Sequence, residues 1–166
     1  MACMYPATSS SPEILYPYIE KELIKLLGSE TNWISNAANA ASTLGFLMPM
    51  LNWAGFYLYD GSELILGPFW GKPAVTRIQI GKGVCGDSAK LRKTIVVEDV
   101  HQYPGHIACD LFSNSEIVIP LVKNNQLIGV LDIDSPEIGR FQEDDRIALE
   151  KIATIMLDHI DFPTIV

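Results

Sequence analysis

The sequence predicts an α+β domain in which N- and C-terminal helices pack on a central antiparallel sheet. Apolar residues recur at three- and four-residue spacing from Ile14 to Leu27, and acidic residues after Phe141 mark a helix start near the other end. Between those ends lie short β-branched runs separated by turn dipeptides rather than by long crossovers, the pattern of hairpin-connected strands. At 166 residues the chain has the length of one ordinary domain and can bury a sizeable core without staples.

The elements follow in order. Residues 1–11 are small and polar and are expected to form a loose tail ahead of a single domain over 12–166. Ser11-Pro12-Glu13 reads as a helix start, with Ser11 as N-cap and Pro12 in the first helical position. Ile14, Leu15, Tyr18, Ile19, Leu23, Leu26 and Leu27 form its buried stripe, and Gly28 ends it. An Ala-rich helix is expected from about Asn32 to Leu47, stopped by Pro49. Runs 53–59 and 63–69 flank Asp60-Gly61, a dipeptide that favours a tight hairpin. A short helix is expected around Val84–Leu91. Further strands are expected at Arg77–Ile80, Thr94–Val97, Glu116–Val122 and Leu127–Asp134, the last two joined at Asn124-Asn125. Acidic residues after Phe141 suit the start of a final helix running to about Ile160.

Composition narrows the function. Hydrophobic residues make up 48% and charged residues 19%, which is the composition of a packed globule. A net charge of −8 with no Lys/Arg stripe argues against nucleic-acid and anionic-membrane partners. The first residues have neither a basic segment nor an apolar run, and no stretch approaches the roughly 18 apolar residues of a membrane span, so a cytoplasmic location is expected. Three cysteines suit thiols that are kept reduced or cycled, not a disulfide framework.

The region from Ile80 to Glu116 is poor in periodic residues and rich in Gly, His, Cys and acids, as functional loops are. Gly81-Lys-Gly-Val-Cys-Gly86 looks superficially like a phosphate loop but has neither the GxxxxGK[ST] nor the GxGxxG spacing, and a Gly-permitted turn with Cys85 as a small buried hydrophobe is the plainer reading. His101, His106, Cys109 and Asp110 could supply metal ligands, yet their spacing matches no strong zinc pattern, and the expectation is no metal. Cys109 with His106 or His101 as base would make a thiol hydrolase, for which no elbow or oxyanion loop is visible. The constellation that joins most residues is Cys109 with Glu116, Asp132 and Asp134. Asp132 and Asp134 alternate with Ile133, so both carboxylates face one side of a strand. They are either a solvated strand end or a cluster whose mutual repulsion keeps one acid protonated near neutral pH, able to donate to a leaving oxygen.

Six blocks then resemble one family in order and spacing: Asn52-Trp-Ala-Gly-Phe-Tyr57, Leu66-Gly-Pro-Phe-Trp-Gly-Lys-Pro-Ala74, Gly83-Val-Cys-Gly86, His106-Ile-Ala-Cys-Asp110, Ser113-Asn-Ser-Glu-Ile117 and Leu131-Asp-Ile-Asp-Ser135. They resemble the free methionine (R)-sulfoxide reductases, enzymes of the GAF fold, over about 12–159. The resemblance implies a GAF-like, homodimeric oxidoreductase with no bound cofactor, acting on the free amino acid sulfoxide and regenerated by a thioredoxin-type or small-thiol reductant. It implies that Cys109 attacks and that Cys85 can resolve it. It further implies that Glu116, Asp132 and Asp134 line the pocket, and that Trp53 and Tyr57 are its aromatic walls. Glu116 or Asp134 would donate the proton. Many members read Lys-Pro-Ala-Cys where this chain has Val75, so one common resolving cysteine is missing. Cys3 matches no family motif. The same fold also hosts sensor modules that bind a small ligand without turnover, and that reading stays beside the enzyme.

Overall fold

The computed structural model describes residues 11–107 and 111–163, so Cys3, Cys109 and Asp110 lie outside the described residues. Helices α1 (Pro12–Leu27) and α2 (Trp33–Leu47) precede the hairpin β1 (Trp53–Tyr59) and β2 (Glu63–Gly71). Then come β3 (Arg77–Gln79), α3 (Gly83–Leu91), β4 (Ile95–Val97) and a 3-10 turn at Val100–Gln102. A second hairpin, β5 (Ser115–Lys123) and β6 (Gln126–Ser135), leads to α4 (Glu143–His159). The strands form one sheet in the order β3-β2-β1-β6-β5-β4, antiparallel at every pairing.

Side chains along a strand alternate between faces, and this sheet uses the two faces differently. Ala54, Phe56, Ile117, Ile119, Leu121, Leu131 and Ile133 point to one face, where they meet α1, α2 and α4 in the main apolar core. Each fully buried aliphatic or aromatic side chain there is worth about 1.5–3 kcal/mol relative to exposure. Trp53, Tyr57, Val118 and Val130 point the other way, towards Val84, Cys85 and Ala89 of α3.

Local chemistry sets the element ends. Asn32 caps α2 by accepting from the Ser35 N–H at 3.1 Å, and the small Ala37, Ala40 and Ala41 let this helix lie close to β1 and β2. Helix α4 begins at Glu143, two residues after Phe141, because Gln142 is extended and Phe141 is drawn into the core. The buried Asp145 accepts the Gln142 N–H at 2.8 Å, the Arg140 guanidinium at 3.0 Å and the Tyr16 hydroxyl, tying α1 to α4 and to the segment after β6. Burial and this carboxylate hold the Tyr16 hydroxyl well above the usual phenol range.

One turn differs from expectation. The β1–β2 hairpin is centred on Gly61-Ser62, not Asp60-Gly61: Asp60 N–H donates to the Glu63 carbonyl at 3.0 Å while its carboxylate accepts the Ser62 and Glu63 N–H groups. Asp60 therefore closes the turn from outside, and Gly61, at φ +96°, takes the position that needs positive φ. The Asn124-Asn125 turn falls where expected, with φ +51° and +61°.

Candidate active site

Strand register assembles the acids. Glu116 on β5 pairs with Asp134 on β6, and Asp134 pairs in turn with Trp53 on β1. Asp132 sits between Val118 and Gly55 in the same way, so Glu116, Asp132 and Asp134 share the α3 face at the centre of the sheet. They are 5%, 1% and 3% exposed. The solvated strand end is thereby ruled out: three carboxyl groups are held in the interior.

Burial raises the Glu116 carboxyl well above its ordinary value of 4.5, and the charge of Asp134 raises it further. Burial likewise pushes Asp132 well above 3.8, with repulsion from Glu116 adding to it. Ionising all of them together is costly, so a proton stays within the group near neutral pH. Neither oxygen of Asp132 has a hydrogen bond of good geometry, although the Cys85 thiol and the Glu116 carboxyl lie against it. A buried carboxyl group so weakly satisfied costs about 1–3 kcal/mol, a cost that a cationic or donor ligand would relieve.

An aromatic wall stands beside the acids. Trp53 stacks on Tyr57 with ring centroids 5.9 Å apart and on Phe69 at 5.4 Å. Gly55 permits this, because a Cβ there would come 2.6 Å from the Trp53 ring and 2.4 Å from Phe69 Cβ. Both expected wall residues donate to the loop after β2: Trp53 Nε1 to the Lys72 carbonyl at 3.1 Å, and the Tyr57 hydroxyl to the Val75 carbonyl at 2.8 Å. Such a surface suits a thioether.

Cys85 comes from α3. Its buried sulfur lies 4.0 Å from Glu116 Oε1, and the donor atoms of Cys85, Glu116 and Asp132 all fall within 4.8 Å of one another. This trio is the group among the described residues that could close on a cation. The glycine-rich turn before it spends its amides internally: Gly81 N–H donates to Gly86 O at 2.8 Å, Lys82 N–H to Gln79 O at 3.1 Å and Gly86 N–H to Lys82 O at 3.1 Å. None of these three amides is left to cradle a phosphate.

The histidines separate. His101 Nε2 is exposed and faces Asn114 Oδ1 at 3.0 Å. His106 turns inward, with Nε2 3.2 Å from Glu116 Oε2, and desolvation lowers its pKa below 6.5, which keeps it neutral at physiological pH. The sequence named His106 as a metal ligand or hydrolase base; its partner is the pocket acid. Phe69, the third ring of the wall, carries no sequence signal of its own beyond its place in the Leu66–Ala74 block. The hairpin register sets it opposite Gly55.

The GAF domain family matches residues 35–156. The chain is 46% identical over 137 residues to the free methionine-R-sulfoxide reductase of Escherichia coli, covering 82% of this chain and 83% of that protein. It belongs to the free methionine-R-sulfoxide reductase family. The Saccharomyces cerevisiae reductase is 45% identical over 139 residues, which is 79% of this chain and 77% of that protein. In structure, the chain is similar to the free methionine-R-sulfoxide reductase of Neisseria meningitidis in complex with its substrate, with a TM-score of 0.91 and 38% identity over 97% of this chain and 96% of that one.

Membership of this reductase family accounts for buried acids beside an aromatic wall better than a hydrolase or a nucleotide site does. It also makes Val75 conspicuous. This residue is 37% exposed on the loop that Tyr57 and Trp53 hold, and it offers no thiol. Among the described residues, Cys85 is the cysteine beside the buried acids, and it forms no disulfide there.

Proposed function

We propose that this chain reduces free L-methionine (R)-sulfoxide to L-methionine, with Cys109 as the attacking thiol. The observation that carries the reading is the buried Glu116–Asp132–Asp134 cluster beside Trp53 and Tyr57, in a chain 46% identical to a reductase of that name. In the proposed chemistry the Cys109 thiolate attacks the sulfoxide sulfur, Glu116 or Asp134 delivers a proton to the sulfoxide oxygen, and methionine leaves. Oxygen transfers to Cys109, which becomes a sulfenic acid as the substrate sulfur is reduced by two electrons. Asp132, protonated in the free protein, gives its proton to water and takes the substrate ammonium as a carboxylate, and the aromatic wall encloses the methyl thioether.

Cys85, or a thiol from outside, condenses with the sulfenic acid, and a thioredoxin-type or small-thiol reductant returns Cys109 to the thiol. No cofactor takes part. The protein works as a cytoplasmic homodimer; no helix of the described residues is long and apolar enough to cross a membrane. NADPH consumption in a thioredoxin-coupled assay tests the reading, with the S epimer and a peptide-bound sulfoxide as controls. Wild type consumes NADPH with the free R epimer alone, and Cys109→Ser loses at least about 10³-fold of that rate. Equal rates for the two proteins would overturn it. Binding without methionine release would leave a GAF sensor module.

A further inference from the structure

The two oxygens of Glu116 face different partners on different elements. Oε1 lies 4.0 Å from the Cys85 thiol of α3 and Oε2 lies 3.2 Å from His106 Nε2, in the segment between the 3-10 turn and β5. Exposure rises along this line. Cys85 is buried, the Glu116 side chain is 6% exposed and that of His106 is 15% exposed. We propose that Glu116 and His106 form a proton path that activates Cys85 as the resolving thiol, Glu116 taking the thiol proton on one oxygen and handing it to the imidazole from the other.

The proposal deepens the reductase reading and rests on it. A thiol attacks a sulfenic acid only as thiolate, and the buried Cys85 sits against two acids, Glu116 and Asp132, whose negative charge opposes its ionisation. Reduction of the sulfoxide removes one proton from this acid group, so the pocket holds a fresh carboxylate when Cys85 must ionise. Asp132 also faces the thiol, but neither of its oxygens has a fixed polar contact leading outward. Glu116 has one in His106. Tyr103, which also lies near Glu116, donates its hydroxyl to Asp87 instead. The neutral imidazole of His106 can accept a proton at Nε2.

The step balances. Cys85 loses its proton to Glu116, and the Cys85 thiolate attacks the Cys109 sulfur. The S–S bond forms, the S–OH bond breaks, and the departing hydroxide takes back, through the same pair, the proton that Cys85 gave up. One water is released and no outside reductant is consumed. His106 acts through Glu116 and does not touch the sulfoxide, so it is a positioning and relay residue of the resolving step.

A single-turnover experiment tests this. Reduced protein is mixed with one equivalent of L-methionine (R)-sulfoxide without reductant, and released methionine and the Cys85–Cys109 disulfide are followed separately. Wild type should release one methionine and then close the disulfide. His106→Gln, which preserves a hydrogen-bonding group, should release methionine within about twofold of the wild-type rate while disulfide closure slows about tenfold or more. In His106→Ala, added imidazole should restore closure, as it would not for a loss of packing. The proposal is overturned if closure is unslowed in both variants, if imidazole rescues nothing, if the variants lose methionine release instead, or if the wild-type sulfenic acid is never captured by Cys85. Absence of methionine from the wild type would instead overturn the reductase reading itself.

Discussion

The two faces of the central sheet are built from the same strands and have opposite energetics. On β5 and β6, Ile117, Ile119, Leu131 and Ile133 turn to the helical face, and all are buried in apolar surroundings. Their neighbours Glu116, Asp132 and Asp134 turn to the α3 face and are equally buried, though as carboxyl groups. Apolar burial stabilises the fold, whereas burying three acids together costs stability. A sheet that holds both has its helical face supplying the free energy that the other face uses to keep acids out of water.

Neutralising the acids should therefore separate activity from stability. Glu116→Gln and Asp132→Asn are each expected to lower kcat/KM by about 10²–10⁴, read in the coupled assay. The same variants should be more stable than wild type at pH 8. The sign follows from the raised native values. Above about pH 4 the unfolded chain ionises these groups while the native state keeps them protonated, so the native state binds more protons and wild-type stability falls as pH rises towards the native pKa values. The variants lack this loss, so their advantage in unfolding free energy, read by urea titration, should grow from pH 4 to pH 8 by about 1–3 kcal/mol in total. A constant difference across that range would mean that the acids are not destabilising through ionisation.

The helical face should respond the other way. Ile119→Ala removes a side chain that sits in the core under α4 and is expected to cost about 2–5 kcal/mol, measured by urea unfolding. Its kcat/KM below the unfolding transition should remain that of wild type. A large loss of activity in the still-folded variant would show that the two faces are coupled and would break the division between them.

The sequence made one face more legible than the other. Helical stripes and two-residue alternation mark α1, α2, β5 and β6, because burial against a single core imposes a period, and the acids after Phe141 mark the start of α4. The shared side of Asp132 and Asp134 followed from the same alternation. Their burial did not, since nothing local shows that α3 and the segment carrying Tyr103 and Ile107 would cover them. Pairings distant in sequence were also hidden: His106 with Glu116, and Phe69 on Trp53, exist only once the sheet register is set. The displaced β1–β2 turn has a local cause, since Asp60 is both a turn former and a carboxylate able to cap the two amides that follow, and the second role won.

The mildest probe lies on the aromatic wall, where polarity is spent on holding a loop rather than on chemistry. Tyr57→Phe keeps the ring that stacks on Trp53 and removes the hydroxyl that donates to the Val75 carbonyl. A hydrogen bond of this kind is worth about 0.5–1.5 kcal/mol, and the low end is expected because water can reach a carbonyl on a half-exposed loop. The Trp53 indole still donates to Lys72, so the loop keeps one of its two tethers. The wall should therefore loosen without opening: KM for the sulfoxide should rise a few-fold, about the fold-change that 0.5–1 kcal/mol gives. The turnover number should hold, because the acids and the thiols are untouched. A fall in kcat with unchanged KM would place the Tyr57 hydroxyl in the reaction itself and extend the chemistry of the α3 face from its carboxyl groups to its aromatic wall.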